Sequence, residues 1–529
     1  MRIIGAGRNA LNGDPALQSS VDSPLPPWFA ALSGRRLLSG RPGPAARVCH
    51  DSRDVTGGAV FVAVPGIRQD GNSFIPDAIA RGASAIVVQG DTRERWVVYV
   101  AEDVAFVEIP EARVALAEAA AGQCGFPART LGMVGVTGTD GKTTTTHLVA
   151  HALRGCGRPT GYLSSVEFAA GAARELNASH MTTLEADDVQ LLLARIRDAG
   201  ERYAVVEASS IGLELHRVDQ CEFDVGVFTN LAPDHLDYHG TMAAYRGAKA
   251  RLFQMVARSA AKPGVEKAAV LNADDPASEA MRAATQAAVP TLTYGLAGGD
   301  IRARDITRAG WGTDFAVRAG GEERRAHTNL QGAYNVANSL AAVAVAVSQG
   351  VDFREAVEAL ASFPGVPGRM EPVDEGQPFR VVVDIASTEQ AMRNVLGELR
   401  PMTAGRLIAV FGAAGERDRE RRRGIARAVA QGADFALITS EDPRSEEPGA
   451  IIDEIAGALV GFGWTEPGRV ERRTERRDAL ARAFELARPG DTVVLAGKGT
   501  EQSIVVGAEH RPWDERRVAR ELLRGVRRQ

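Results

Sequence analysis

At 529 residues the chain is long enough for about three domains of ordinary size. Hydrophobic residues make up 45% and charged residues 24%, and 62 basic against 67 acidic side chains leave a net charge of −5. That balance excludes a nucleic-acid binder, which carries a basic surface, and the basic runs at 417–423 and near the C-terminus read as solvated helix faces. Cys49, Cys124, Cys156 and Cys221 show neither CxxC spacing nor a pairing pattern, so neither a zinc site nor a disulfide frame is expected. Reduced thiols fit the cytosol. The N-terminal residues lack the apolar core of a signal peptide, and the longest apolar stretch, 340–347, is too short to span a bilayer. A cytoplasmic protein with no membrane insertion is expected.

Residues 1–45 are rich in Pro, Gly and Ser and read as a loosely ordered lead-in to an N-terminal domain, 1–130. Within it, short apolar strands (AVFVAV, AIVV) and the helical pattern PDAIARGA indicate a small α/β unit. A second section, 131–363, opens on the buried strand LGMVGVT. It continues through YAVVEA, DVGVFTN and AAVLNA, separated by helical patterns as a parallel sheet requires. The Pro/Gly-dense stretch SFPGVPGRM (362–370) marks a boundary. A third section, 364–529, repeats the alternation with VVVDIA, RLIAVFG, DFALITS and DTVVLAG. The fold class is α/β in three domains.

The sharpest motif is VGVTGTDGKTTTTHLVAHAL (134–153): a buried strand, a Gly-bearing turn of Thr137, Gly138, Thr139, Asp140 and Gly141, and a helix from Lys142. The N–H groups of such a turn form an anion nest at a helix N-terminus. Lys142 reaches the outer phosphates of ATP, and Thr143 or Thr144 supplies a hydroxyl to Mg²⁺. Val136 stands where the usual pattern has its first Gly, so Gly138 takes that part. This loop alone leaves kinase, ATPase and ligase open. Glu207 ends the strand YAVVEA at the carboxyl edge of the sheet, where ligands bind. The following loop, LAPDHLDYHGTM (231–242), crowds Asp234, His235, Asp237 and His239 together. A carboxylate and an imidazole converging there would hold a metal near the γ-phosphate.

Together these motifs resemble the Mur ligase family, in particular its tripeptide-forming branch, over about residues 48–522. The segments that carry the resemblance are TGTDGKTTT, FDVGVFTNLAPDHLDYHGTMAAYRGAKARLF (223–253) and HDSRDVTGGAVFVAVPGIRQDGNSFIPDAIARGA (50–83). The last of these is absent from folate-polyglutamating relatives. The resemblance implies an ATP- and Mg²⁺-dependent ligase that adds a diamino acid (meso-diaminopimelate, L-lysine or L-ornithine) to UDP-N-acetylmuramoyl-L-Ala-D-Glu. The route implied is an acyl phosphate, in peptidoglycan precursor synthesis, and the family's usual state is monomeric. The alternative is a divergent paralogue with another acceptor.

By resemblance, Lys142 and Thr143 serve ATP and Mg²⁺, Glu207 and His235 bind Mg²⁺, and Lys249 is carbamylated and holds a second Mg²⁺. Asn272, Asp274, Asn335, Asn338, Arg369 and Asp384 contact the nucleotide. Ser52, Asp70 and Gly71 contact the uridine end, and Thr182, Thr183, Ser209 and Arg217 the muramoyl dipeptide. Arg417, Asp442, Arg444, Gly497 and Glu501 receive the amino acid. The implied fold is a small N-terminal α/β domain, a central P-loop ATPase domain with a parallel sheet, and a C-terminal sheet of Rossmann type. The sequence departs from the family at Leu184, Ile211, Leu215, Ile385, Ser387 and Thr500. At 441–444 the family's DNPR reads Glu-Asp-Pro-Arg. Arg444 suits a distal carboxylate, whereas Asp442 in place of Asn favours a bare ammonium, unless it is a helix N-cap or turn residue.

Overall fold

The structure is a computed structural model that describes residues 24–66, 69–90, 103–179, 181–285, 289–465 and 467–526. It divides into two compact units, residues 1–127 with 186–194, and residues 128–185 with 195–529.

The first unit holds a five-stranded sheet in the order Arg36–Ser39, Ala105–Ile109, Ala85–Gln89, Val60–Ala63, Val48–Cys49. Only the Arg36–Ser39 pairing is antiparallel. The Ala-rich helix Ala112–Gln123 covers one face, because its small side chains let it lie close to the sheet. Part of the supposed lead-in belongs to this core. Pro27–Ala31 is a helix whose Trp28 is fully buried, and the indole Nε1 donates to the Gly43 carbonyl at 2.9 Å. Ser33 is tied to the Glu118 carboxylate by its N–H at 2.8 Å and its hydroxyl at 2.6 Å. A run of Pro and Gly says nothing of the two aromatic rings inside it, and burial of those rings orders the segment. Residues 1–23 of the lead-in lie outside the described residues.

The second unit holds two large sheets. The eleven-stranded sheet has parallel strands at its centre: Thr291–Gly295, Ala268–Asn272, Val225–Phe228, Gly132–Thr137, Tyr203–Glu207 and Thr160–Leu163. Antiparallel hairpins extend both margins, at 301–328 and 167–176. The six-stranded sheet is parallel apart from its margin strand Glu371–Pro372. All eight apolar runs read from the sequence in these two sections are strands, because parallel strands are covered on both faces and so are continuously apolar. Between the sheets, 363–370 contains only an isolated bridge from Val366 to Arg369.

The helices Lys142–Gly155 and Ala333–Ser348 pack together on the larger sheet through an alanine- and valine-rich face. Gly132–Thr137 lies between Tyr203–Glu207 and Val225–Phe228, in register with both. The ends of these strands therefore deliver Thr137, Glu207 and Thr229 to one edge, where crossovers diverge. Among the described residues, no helix is long and apolar enough to cross a membrane.

Candidate active site

The loop after Gly132–Thr137 is stitched to the next strand end. The Thr139 N–H donates to the Asn230 carbonyl and the Asp140 N–H to Asn230 Oδ1, both at 2.9 Å. The Thr229 hydroxyl donates to the Asp140 carbonyl at 2.6 Å. Gly138 makes the stitch possible, since a β-carbon there would lie 1.8 Å from Thr229 Oγ1. Gly138→Ala is therefore expected to displace the loop at a cost of about 1–3 kcal/mol. ATP binding measured by calorimetry should be lost with it, and retained affinity would refute this account. Lys142 opens the helix, and its Nζ folds back to donate to the carbonyls of Gly138 at 3.1 Å and Thr139 at 2.7 Å.

Glu207 is buried. One of its oxygens accepts from the Thr143 hydroxyl at 3.1 Å and the other from the Ser165 N–H at 2.9 Å. Thr143, rather than Thr144, thus stands beside the carboxylate. Lys249 is 1% exposed. Its Nζ donates to the Gly138 carbonyl at 2.5 Å and lies 4.3 Å from the centre of the Tyr245 ring. Burial, with Lys142 as a second cause, pushes the Lys249 ammonium down to about 6.

His235 does not converge on Glu207 as the sequence suggested. It starts the short helix Leu236–His239 in a left-handed conformation, its side chain is half exposed, and its Nε2 lies 3.4 Å from Asp234. His239 instead meets Ser210 and Glu214, each at 3.0 Å, and Asp237 is exposed. Among the described residues there is no group of three His, Cys, Asp or Glu side chains able to hold a metal. The rings of His235 and His239 both face Tyr245, at 6.4 and 5.1 Å between ring centres, a placement that spacing along the chain cannot reveal.

Gly141 and Thr144 open onto a cavity of about 530 Å³ that also receives Asn272, Asp274, Asn335, Asn338, Arg369 and Asp384. Several of these side chains hold the walls. Asp274 accepts from the N–H groups of Leu296, Ala297 and Gly298 at 2.6, 3.0 and 3.1 Å. Asn272 Nδ2 donates to the Thr229 carbonyl at 2.7 Å. Asn338 takes the Thr145 hydroxyl at 3.2 Å and donates to Asn335 at 3.0 Å. The Asp384 carboxylate accepts from Met370 and Ala386 N–H groups, both at 2.7 Å. Burial raises its pKa and Arg369 opposes that rise.

A second cavity, of about 750 Å³, brings Lys142, Thr143, Glu207 and Thr182 to the same space as Arg417, Asp442, Arg444 and Glu501. Asp442 is not a helix cap. Its carboxylate accepts from Lys498 Nζ at 2.8 Å and from the Val505 N–H at 2.9 Å, and the helix that follows starts only at Pro448. Lys498 is fully buried and also bonds Glu501 at 2.5 Å. The negative charge at Asp442 is thereby compensated inside the protein. Arg444 is held through its main chain, its N–H donating to the Val505 carbonyl at 3.0 Å. Its guanidinium makes no hydrogen bond among the described residues, with Glu416 a through-space counter-charge. Gly497 does not line this cavity, and its N–H donates to the Asp384 carbonyl at 3.1 Å.

Thr183, Ser209 and Arg217 form one cluster. The Thr183 hydroxyl donates to the Glu207 carbonyl at 2.8 Å and accepts the Ser209 N–H at 2.9 Å. Arg217 donates to the Thr183 carbonyl at 3.1 Å and pairs with Glu185 at 2.6 Å. Ser52, Asp70 and Gly71 lie in the first unit. Asp70 caps the turn Gly71–Phe74 by accepting the Asn72 N–H at 3.0 Å, the Gly71 N–H reaches the Val64 carbonyl at 3.0 Å, and Ser52 bonds Asp77.

Comparison with known proteins agrees with this geometry. Residues 45–123 match the Mur ligase family catalytic domain, 136–346 the Mur ligase middle domain and 368–499 the Mur ligase glutamate ligase domain. A UDP-N-acetylmuramyl-tripeptide synthetase of Roseiflexus sp. (strain RS-1) is 43% identical over 484 residues, 90% of this chain and 94% of that protein. The chain belongs to the Mur ligase family. A UDP-N-acetylmuramoyl-L-alanyl-D-glutamate–2,6-diaminopimelate ligase of Streptomyces coelicolor is 40% identical to this Mur ligase, over 90% of the chain and 92% of the relative. A solved structure of a UDP-N-acetylmuramoyl-L-alanyl-D-glutamate–2,6-diaminopimelate ligase aligns with a TM-score of 0.62 at 30% identity, covering 92% of this Mur ligase and 96% of that chain. Family membership makes the protein an ATP-dependent ligase.

Sequence reasoning missed Ser165, Thr229, Asn230 and Lys498 in this Mur ligase. Thr229 and Asn230 end a strand whose neighbour carries the phosphate loop, and that adjacency was a usable signal. Lys498 sits in GKGTE beside two residues that were singled out, but nothing in the sequence pairs it with Asp442. Two departures are accommodated locally. Ser387 bonds Arg421 through its carbonyl at 2.6 Å and its hydroxyl at 2.8 Å, and Ile385 packs against Gly499.

Proposed function

We infer that this Mur ligase joins meso-diaminopimelate to UDP-N-acetylmuramoyl-L-Ala-D-Glu at the expense of ATP, as a cytoplasmic monomer acting on small molecules. The three sequence sections, 1–130, 131–363 and 364–529, would serve as its acceptor, ATP and amino-acid domains. The observation that carries the choice of amino acid is the charge balance at 442–444. Lys498 pairs with Asp442 and Glu501, while the Arg444 guanidinium, like that of Arg417 in the same cavity, keeps unspent hydrogen-bonding capacity among the described residues. A free guanidinium selects a ligand with a distal carboxylate, which diaminopimelate has and lysine and ornithine lack.

The chemistry follows from the residues around the shared cavity. The D-Glu carboxylate attacks the γ-phosphorus, the bond to ADP breaks, and an acyl phosphate forms. The amine of the incoming amino acid then attacks the acyl carbon, inorganic phosphate leaves, and the amine gives up a proton. Lys142 and the N–H groups at the start of its helix would meet the charge on the transferring phosphoryl group, once Lys142 Nζ exchanges its two carbonyl contacts for the phosphate. Thr143 and Glu207 are hard oxygen donors in mutual contact, a fit for Mg²⁺, which takes one or two protein ligands and fills its remaining positions from water and phosphate. Mg²⁺ there would offset repulsion between the two anions. His235 fits this role only through a change of its side-chain position. Arg417 and Glu501 line the cavity with Thr182, and the cluster of Thr183, Ser209 and Arg217, assigned here to the acceptor, begins at the next residue.

Lys249 has the properties of a lysine that takes up CO₂. Its lowered pKa leaves a free amine above about pH 6, and that fraction falls as pH drops through 6. Incubation with ¹³C-bicarbonate is expected to give a carbamate signal at pH 8 that disappears below about pH 6 and is absent in Lys249→Arg. A signal that persists in the arginine variant would reject the assignment.

The ligase activity is tested by phosphate release from ATP and Mg²⁺ with UDP-N-acetylmuramoyl-L-Ala-D-Glu and one amine at a time. Release that requires both the acceptor and meso-diaminopimelate is the expected result. Equal release with L-lysine would overturn the amino-acid choice, and silence with every amine would overturn the acceptor.

A further inference from the structure

The cavity beside Gly141 and Thr144 changes character along its length. Its far end is bounded by Trp311, Leu330, Tyr334 and Val395, an aromatic and aliphatic slot. With phosphates on the loop, that slot is where a purine ring of ATP must lie, so any role for the slot in base recognition rests on the ATP-dependent ligase reading. Trp311 sits at the tip of the hairpin formed by Ile301–Ala309 and Gly312–Ala319 and packs against the core of the six-stranded sheet. The Arg380 guanidinium stands 5.5 Å from the centre of its ring, so the indole is held from that side.

One charged side chain in this wall has no assigned task. Glu398, on the helix Glu389–Leu399, lines the cavity next to Tyr334. A β-carbon on Gly332 would meet Tyr334 Cε1 at 2.6 Å and Glu398 Oε1 at 2.8 Å, which places ring edge and carboxylate side by side. Among the described residues Glu398 has neither a hydrogen bond nor an ion pair. Burial raises its pKa, with Arg308 opposing. A half-buried acceptor without a protein partner on the cavity wall is open to a donor on the ligand.

We propose that Glu398 is the base-selecting residue of this ligase: its carboxylate accepts the exocyclic amine of adenine in the slot walled by Trp311 and Tyr334. Guanine and hypoxanthine place a carbonyl oxygen at the same position, which sets acceptor against acceptor and leaves the carboxylate unpaired.

The test uses the full chain with Mg²⁺ and calorimetric titration of ATP, inosine triphosphate and the 6-unsubstituted purine riboside triphosphate. Wild type is expected to bind ATP at least about tenfold tighter than either analogue, the scale of one hydrogen bond to a charged group. Glu398→Gln, whose amide can donate to O6, is expected to narrow the ATP-to-inosine ratio to about threefold or less. Equal binding of all three by wild type overturns the proposal, and so does an unchanged ratio in folded Glu398→Gln. Should that variant fail to fold, the wild-type comparison alone decides. ATP binding without base discrimination leaves the ligase reading standing and removes Glu398 from it. Discrimination without acceptor-dependent turnover does the reverse, and failure to bind any of the three removes both.

Discussion

Lys142→Met is expected to cut acceptor- and amine-dependent phosphate release by about 10³-fold, the scale of removing one preorganised charge from a developing oxyanion. The side chain is suited to this because it starts the helix Lys142–Gly155 and already lies across the carbonyls of Gly138 and Thr139. An arriving phosphate exchanges those two carbonyl contacts for a charge-assisted one, with little rearrangement of the chain. The same substitution has a second readout. Lys142 is one cause of the depressed Lys249 pKa, so its loss should shift the pH at which the Lys249 carbamate disappears upward from about 6. Full activity in Lys142→Met would refute its role at the phosphoryl group, and an unmoved carbamate midpoint would show that the two lysines do not share one electrostatic field.

The second large effect is on stability and selectivity together. Lys498→Met leaves the Asp442 carboxylate buried without its cation and is expected to cost about 3–5 kcal/mol in urea unfolding. Adding Asp442→Asn removes the stranded charge while keeping an acceptor for the Val505 N–H, so the double variant should recover most of that loss. Glu501 loses a partner in both variants, and it accounts for the part that is not recovered. Selectivity should follow charge: Lys498→Met exposes the amino-acid pocket to an uncompensated carboxylate and raises use of L-lysine relative to meso-diaminopimelate. The double variant should return to the wild-type preference. Additive losses in the two substitutions would deny that Lys498 and Asp442 act as a pair.

The alternation of strands and helices is legible in the sequence alone, because parallel strands buried on both faces are plain apolar runs and the helices between them are amphipathic. The hairpins at 301–328 and 503–512 escape that reading. Of their strands, Ile301–Ala309, Glu322–Thr328 and Glu509–Pro512 are mostly exposed and polar and lack a hydrophobic signature, yet the first hairpin carries Trp311 into the nucleotide cavity and the second brings Val505 to Asp442. Trp28 escaped for the opposite reason, an apolar anchor hidden in a Pro- and Gly-rich stretch.

By itself the sequence determined the phosphate loop, since strand, turn and helix are contiguous there and Gly138 and Lys142 act within a few residues of each other. It likewise determined that Glu207 would end a strand at the carboxyl edge of the sheet. Only the tertiary structure decided what the charges do. Asp442 and Lys498 are 56 positions apart and Lys249 donates to a carbonyl 111 positions away, so their pairing depends on which strands are neighbours. His235 and Glu207 are separated by a loop whose conformation no periodicity encodes. Electrostatic partners are set by distance in space, and distance in space is a property of the assembled sheets.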